Sequence, residues 1–258
     1  MEPQIKKSRR TLFIIILCIF VLGIGGSINF MTGSQKVGTV LVHYMDDQAK
    51  VFIDNDRQKL PVINGTQTIR VRAGVRDVLV SKENHWPWLK QITVESAKTS
   101  ELSPFLFPKN PSLAEITGDD PEYDLLMRMA KQNTFPSSPQ MLISADGTMT
   151  VWNTGQTLYA RFLSSKTPPA FFCIKECQTE ISFLQAKAPI SDIEFLGARN
   201  DVVLAVIGSD LYALEIDPRP VQNFQPIYRG SAPLFTQTAE GIIYLLDGNR
   251  LYQLTNSN

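Results

Sequence analysis

Histidine is nearly missing from this chain: His43 and His85 are the only two in 258 residues. Each lies in a strand or turn pattern with no partner motif nearby, so both read as structural. Cysteine is scarce too, with Cys18, Cys173 and Cys177. No H-E-x-x-H, G-x-S-x-G or P-loop pattern occurs, and no cluster has metal-ligand spacing. These gaps leave no signature of a metalloprotease, a serine hydrolase or a nucleotide enzyme, and no cofactor is expected. Net charge is also absent, with 25 basic residues against 25 acidic. Without a basic excess, nucleic acid is not an expected partner.

What is present begins at the N-terminus. Leu12 to Met31 carries no charge and follows a stub, residues 1–10, holding Lys6, Lys7, Arg9 and Arg10. Leu12 to Ile24 alone contains eleven Leu, Ile, Phe and Val residues. About 20 apolar residues in a helix span a bilayer core of ~30 Å. The sequence therefore predicts a transmembrane helix over residues 11–31, with the membrane as first partner. The flanking positive charge belongs in the cytoplasm, which puts residues 36–258 outside. A cleaved signal peptide is the rival reading, with Gly23, Gly25, Gly26 and Ser27 as a loose cleavage region. Both readings export the rest of the chain. Cys18 lies within the apolar run, so Cys173 and Cys177 form the one candidate disulfide, which an exported compartment permits.

Residues 36–108 switch to an alternation of period two, the strand signal. Val40, Val42 and Tyr44 share a face, as do Val51 with Ile53, Ile69 with Val71, Val78 with Val80, and Ile92 with Val94. Turn-prone clusters separate the runs at Asp46-Asp47, Asp54-Asn55-Asp56, Asn64-Gly65 and Ala73-Gly74. The expected unit is a small antiparallel sandwich. Ala49 to Asp54, the Leu60-Pro61 step, Ala73-Gly74, the stretch HWPWLKQITVES and Ser103 to Pro108 resemble the PEGA domain family. The four residues that name that family read Asp46-Asp47-Gln48-Ala49 here, and only Ala49 agrees. Asn55 stands where the family usually has Gly. The resemblance implies an envelope-side accessory or adhesion-like β-sandwich with no catalytic residues to transfer.

Several residues in this unit carry sharper alternatives. Asp46, Asp47, Asp54 and Asp56 would offer oxygens to calcium, but they lack the fixed loop spacing such a site needs and fit turn chemistry better. Trp86 and Trp88 are candidate surface aromatics for stacking a sugar. Their parity with Ile92 and Val94 favours packing instead, although Lys90 shares that parity and breaks the pattern. Asn64-Gly65-Thr66 is a glycosylation sequon that coincides with a turn.

Residues 109–139 read as a linker with one helix over 121–132. Asp120-Pro121 supplies an N-cap and a first-turn proline, and Tyr123, Leu126, Met127 and Ala130 recur at helical spacing. Beyond it, residues 140–258 repeat themselves. Gly155-Gln156-Thr157-Leu158-Tyr159 returns as Gly208 to Tyr212 and again as Gly248 to Tyr252. Each copy lies between apolar runs, so each reads as a hairpin with glycine at the turn. A unit of roughly 40–50 residues is the period of a β-propeller blade. The stretch Lys166 to Ile174 reads as an insertion, and the count as two clear blades and a partial third. Closed propellers usually need four to eight blades. Cover would come from the first β unit and the helix, from further copies of the chain in a homo-oligomer, or not at all.

The expected fold is thus mainly β: an N-terminal transmembrane helix, a PEGA-like sandwich, a connector helix and incomplete propeller-like blades. The expected function is non-enzymatic binding or scaffolding at the cell envelope, through a protein or envelope-polymer partner. A sensory or assembly subunit of an envelope complex is the alternative. An anchored hydrolase is the least supported, with Asp192, Glu194, Asp210 and Asp217 as its available carboxylates.

Overall fold

The computed structural model describes residues 36–43, 48–132, 141–174, 176–238 and 241–255. The apolar run 12–31 lies outside the described residues. Among them no helix is long and apolar enough to cross a membrane. The expected architecture is corrected accordingly: the described residues form a mainly β fold of five small sheets and one α-helix.

The first unit holds seven strands: β1 (Val37–His43), β2 (Lys50–Ile53), β3 (Asp56–Gln58), β4 (Thr66–Arg72), β5 (Gly74–Ser81), β6 (Trp88–Val94) and β7 (Thr99–Leu102). They form two sheets, ordered β4-β1-β7 and β3-β2-β5-β6. Val40, Val42 and Ile69 of one sheet meet Val51, Val78, Val80 and Trp88 of the other in a shared core. The period-two pattern puts them there, since alternate side chains of a strand share a face. β1 and β7 run parallel, so the unit is not the wholly antiparallel sandwich the sequence predicts. At Gly38 a Cβ atom would run into the Glu95 carbonyl and the Val94 side chain, so only glycine fits there.

The connector is not only a linker. It contains β8 (Ser112–Ile116) ahead of α1 (Tyr123–Gln132). Three four-stranded sheets follow. Blade one is β9 (Leu142–Ile143), β10 (Met149–Thr154), β11 (Thr157–Phe162) and β12 (Glu180–Gln185). Blade two is β13 (Ile190–Phe195), β14 (Val202–Ile207), β15 (Asp210–Glu215) and β16 (Phe224–Arg229). Blade three is β17 (Leu234–Gln237), β18 (Ile243–Asp247) and β19 (Arg250–Thr255), with β8 pairing along β19 as its fourth strand. The count of two blades and a part is therefore corrected to three four-stranded sheets. The missing strand comes from upstream, with Leu251 opposite Ile116 and Thr255 opposite Ser112.

All three repeats of the Gly-to-Tyr motif are two-residue hairpin turns with glycine first: Thr154 pairs Thr157, Ile207 pairs Asp210 and Asp247 pairs Arg250. Gly155, Gly208 and Gly248 all have φ between 62° and 65°, the left-handed region that glycine enters freely. The leucines that follow, Leu158, Leu211 and Leu251, are fully buried. Their tyrosine neighbours point to the opposite face, where Tyr159 stacks on Trp152 at 5.5 Å and Tyr212 meets Phe224 at 4.5 Å.

The blades pack as layers. Met149, Val151 and Leu158 of blade one share a core with Val203, Ala205 and Leu214 of blade two. The stretch read as an insertion contributes Phe171 and Phe172 to this core, so it is a plug rather than a surface loop. Val202, Leu204 and Val206 point the other way, toward Phe235, Ile243 and Leu245 of blade three and the core of the first unit. The outer face of blade three, with Tyr244, Leu246 and Leu251, is covered by Leu126 and Ala130 of α1. A three-turn helix is marginal alone, so this docking is what holds it.

Leu126 and Leu125 give a neighbour-pair test of that layer, one 4% and the other 51% exposed. Leu126→Ala is expected to cost about 2–4 kcal/mol in urea unfolding. Leu125→Ala should stay within about 0.5 kcal/mol of wild type.

Candidate functional site

Two features stand where the first unit meets the blades: a buried ionic clasp and a wide cleft beside it. β6 is an edge strand, and an open edge offers unpaired backbone groups. Blade two covers it with side-chain amides. Asn223 accepts from the Leu89 amide at 2.8 Å and donates to the Leu89 carbonyl at 2.8 Å, as a neighbouring strand would. Gln225 accepts from Phe107 at 3.0 Å and donates to the Phe105 carbonyl at 3.1 Å.

Lys90 is the ionic centre of this junction. Its place on the apolar face of β6 takes the side chain inward, where Nζ lies 2.9 Å from Glu215 Oε2 and 3.0 Å from Asp217 Oδ2. It also donates to the carbonyls of Asp217 and Arg219. Arg219 grips Asp217 with two nitrogens, Nη2 at 2.6 Å. Two cations and two anions make the cluster neutral. Burial drives the Glu215 pKa up, further than Lys90 and Asn223 pull it down. Burial also raises Asp217, but the Arg219 hydrogen bonds and the Lys90 charge outweigh it, and the net shift is downward.

The cleft, of roughly 1090 Å³, opens between the β4-β1-β7 sheet and the loops of blades one and two. On one wall His43 Nδ1 is 2.9 Å from the Thr66 hydroxyl, and Nε2 is 3.8 Å from Glu101. The order mimics a nucleophile, base and carboxylate. It also follows from the ladder alone, since His43 and Thr66 are directly opposed in the β1–β4 register. On the other wall Asp146 accepts from Ser144 at 2.6 Å, from the Thr148 amide and hydroxyl, and from Asn200 at 2.7 Å. The Ser144 bond leads in holding its pKa down to about 2. A carboxylate so committed is a turn anchor and a poor base. Arg199 is bidentate to Asp201, donates to the Ser103 carbonyl and sits 5.7 Å from the Phe105 ring. It ties the loop of blade two to the first unit along the cleft rim.

The four carboxylates available for hydrolysis do not converge. Asp210 accepts from Tyr212 and faces Arg229, and Asp217 belongs to the clasp. Asp192 and Glu194 sit on β13. Asp192 is fully buried, and among the described residues neither of its oxygens meets a donor at good hydrogen-bonding geometry. Burial, with Glu194 beside it, pushes its pKa up to about 8. The backbone of Phe235 and Ile193 offers only partial relief.

The remaining sequence candidates scatter. Trp88 is buried in the core and is therefore no surface aromatic, while Trp86 is half-buried with Lys109 over its ring at 5.7 Å. Cys173 and Cys177 are joined as a disulfide next to the Phe171–Phe172 plug. Asp54 is taken by Arg76 at 2.9 Å and by the Asp77 amide, and Asp46 and Asp47 lie outside the described residues. Asn64 and Gly65 form a positive-φ turn at the cleft rim. His85 is held by the Glu83 carbonyl at 2.7 Å. Among the described residues no three His, Cys, Asp or Glu side chains converge to hold a metal ion. Sequence reasoning missed the junction residues Glu215, Asn223, Gln225 and Arg199. The one signal was Lys90 in an apolar register.

No family model matches this chain, and neither does any curated protein. A crystal structure of a DUF3823 family protein from Bacteroides ovatus aligns over 86% of this chain and 97% of its own. The identity is 8% and the TM-score 0.22, too loose a likeness to carry fold or function across.

Two predictions follow from these groups. Lys90→Met strands Glu215, leaves Asp217 to Arg219 alone, and is expected to cost about 3–5 kcal/mol in urea unfolding. Lys90→Met combined with Glu215→Leu should cost less than the single change, because one buried charge leaves with the other. For Asp192, the folded carboxyl keeps its proton up to about pH 8, whereas the unfolded one ionises near pH 4. The unfolded state then binds fewer protons through this window, so this group lowers stability as pH rises from about 4 to 8. Asp192→Asn should flatten that decline in thermal unfolding measured between pH 5 and pH 8. An unchanged slope would remove Asp192 as its source.

Proposed function

We propose that this protein is an exported, non-enzymatic binding protein of the cell envelope, with a PEGA-like sandwich as its first unit. The cleft between that unit and the blades is the binding surface, and its partner is a protein or an envelope polymer. The observation that carries the reading is the cleft itself: roughly 1090 Å³, open, and lined by mixed polar and apolar side chains from the first unit on one side and blades one and two on the other. Its volume stands at the upper end of small-molecule sites, about 300–1,000 Å³, and its open mouth leaves room for an extended chain to lie across it.

A binding rather than catalytic role rests on what the cleft's ionisable groups already do. Asp146 and Arg199 are spent on local bonds, and the Thr66–His43 contact is an ordinary cross-strand pair. Export rests on the basic stub and apolar run of the sequence, and on the disulfide between Cys173 and Cys177, a bond that persists in oxidising compartments.

The test is site-specific photo-crosslinking in intact cells. A photoreactive residue at Ala198, exposed on the cleft wall, should give one discrete adduct. The same group at Val75, which is 57% exposed on β5 and no part of the cleft, should give none. Equal adducts at both positions, or none at Ala198, would contradict the cleft as the binding surface.

A further inference from the structure

A second concavity lies away from the cleft, at the crossover from blade one to blade two. It has a volume of roughly 430 Å³. Leu184 and Gln185 close one side, the crossover from Ala186 to Ala188 another, and Ile207, Tyr212, Gln222 and Phe224 of blade two the rest. We propose that this groove binds a small carboxylic acid whose ring presents an apolar face to the aromatic wall.

The ring is argued from the wall. Tyr212 and Phe224 lie 4.5 Å apart, tilted by 32°, and Phe224 keeps 41% of its surface open although it is in a strand. Tyr212 is fixed by its hydroxyl, which donates to Asp210 at 3.1 Å. Gln222 is fixed as well, donating to the carbonyls of Phe183 and Glu215, both at 2.8 Å. An aromatic wall held in place presents a flat face at little entropic cost, and both an aromatic ring and the C–H face of a pyranose pack against such a face.

The acid is argued from charge. Among the described residues Lys187 is the only charged one lining the groove, it is exposed, and it has no ion-pair partner. Asp210, which holds the Tyr212 hydroxyl, is already faced by Arg229 at 3.4 Å. Gln185 accepts from the Thr157 hydroxyl at 2.6 Å, which turns its carbonyl oxygen to that contact and leaves its NH₂ group to donate. One cation and one amide donor match a single carboxylate, and the apolar lining of Leu184, Ala186, Ala188 and Ile207 takes the ring. The size is within the range of small-molecule sites.

An aromatic acid and a uronic sugar share this chemistry, and titration calorimetry on the full-length protein separates them. The probes are indole-3-acetate and glucuronate, with 3-methylindole and glucose as neutral counterparts. At least one acid should bind saturably, about tenfold or more tighter than its neutral counterpart, the discrimination of one charge-assisted contact. Preference for indole-3-acetate assigns an aromatic acid, and preference for glucuronate a sugar acid. Lys187→Met should bring that acid to the affinity of its neutral counterpart, and Phe224→Ala should weaken both by the same factor. Thermal unfolding of each variant separates lost binding from lost fold, with Lys187→Met expected to unfold as wild type does. Saturation by neither acid, or an unchanged affinity in a folded Lys187→Met protein, would overturn the proposal.

Discussion

β14 is apolar on both faces, and the rest of the described chain is arranged by the need to cover it. Val202 to Val206 are five consecutive residues with almost no exposure. Val203 and Ala205 enter the core shared with blade one, while Val202, Leu204 and Val206 enter the core shared with blade three and the first unit. A strand that buries both faces needs a layer on each side. β18 repeats the arrangement one layer further out, with Ile243 and Leu245 turned toward blade two and Tyr244 and Leu246 toward α1. Three blades therefore need no closed ring. They need an end cover on blade three, which α1 provides, and a flank for blade two, which the first unit provides.

That flank explains why charge is buried at the junction. Lys90, Glu215, Asp217 and Arg219 lose hydration together and recover it in mutual contacts of 2.6–3.0 Å. Buried ion pairs are weak sources of net stability compared with apolar packing. Their value here is positional. Asn223 and Gln225 pair with a strand edge and a loop through fixed donor and acceptor spacing, so the first unit has one register on blade two. The cleft walls are set by the same register, since Arg199 of blade two reaches the carbonyl of Ser103 in the first unit.

Much of the local structure was legible in the sequence, because it follows from two short-range rules. Alternation named the core of the first unit at Val40, Val42, Val51, Ile53, Ile69, Val78 and Val80, all of them buried. The glycine turns named three hairpins, and all three have the backbone angle that selects glycine. What failed to show was long-range pairing. β8 reads as linker in the sequence because Ser112 to Glu115 are exposed and carry no alternation, its contribution being backbone hydrogen bonds to β19. The partial third blade was complete for that reason. Phe171 and Phe172 read as part of an insertion in the sequence, since a plug between sheets has no periodicity. The clasp left one trace, Lys90 in an apolar register, and its acidic partners lie more than 120 residues away, beyond the reach of any local pattern.

The central claim is that the apolar faces of the three blades find cover within a single chain. The solution mass of residues 36–258, measured by light scattering across a range of concentrations, tests it most directly. The account predicts a monomer whose mass does not change with concentration. A discrete oligomer would contradict it, because blades that complete one another between chains would leave the layers described here without their role.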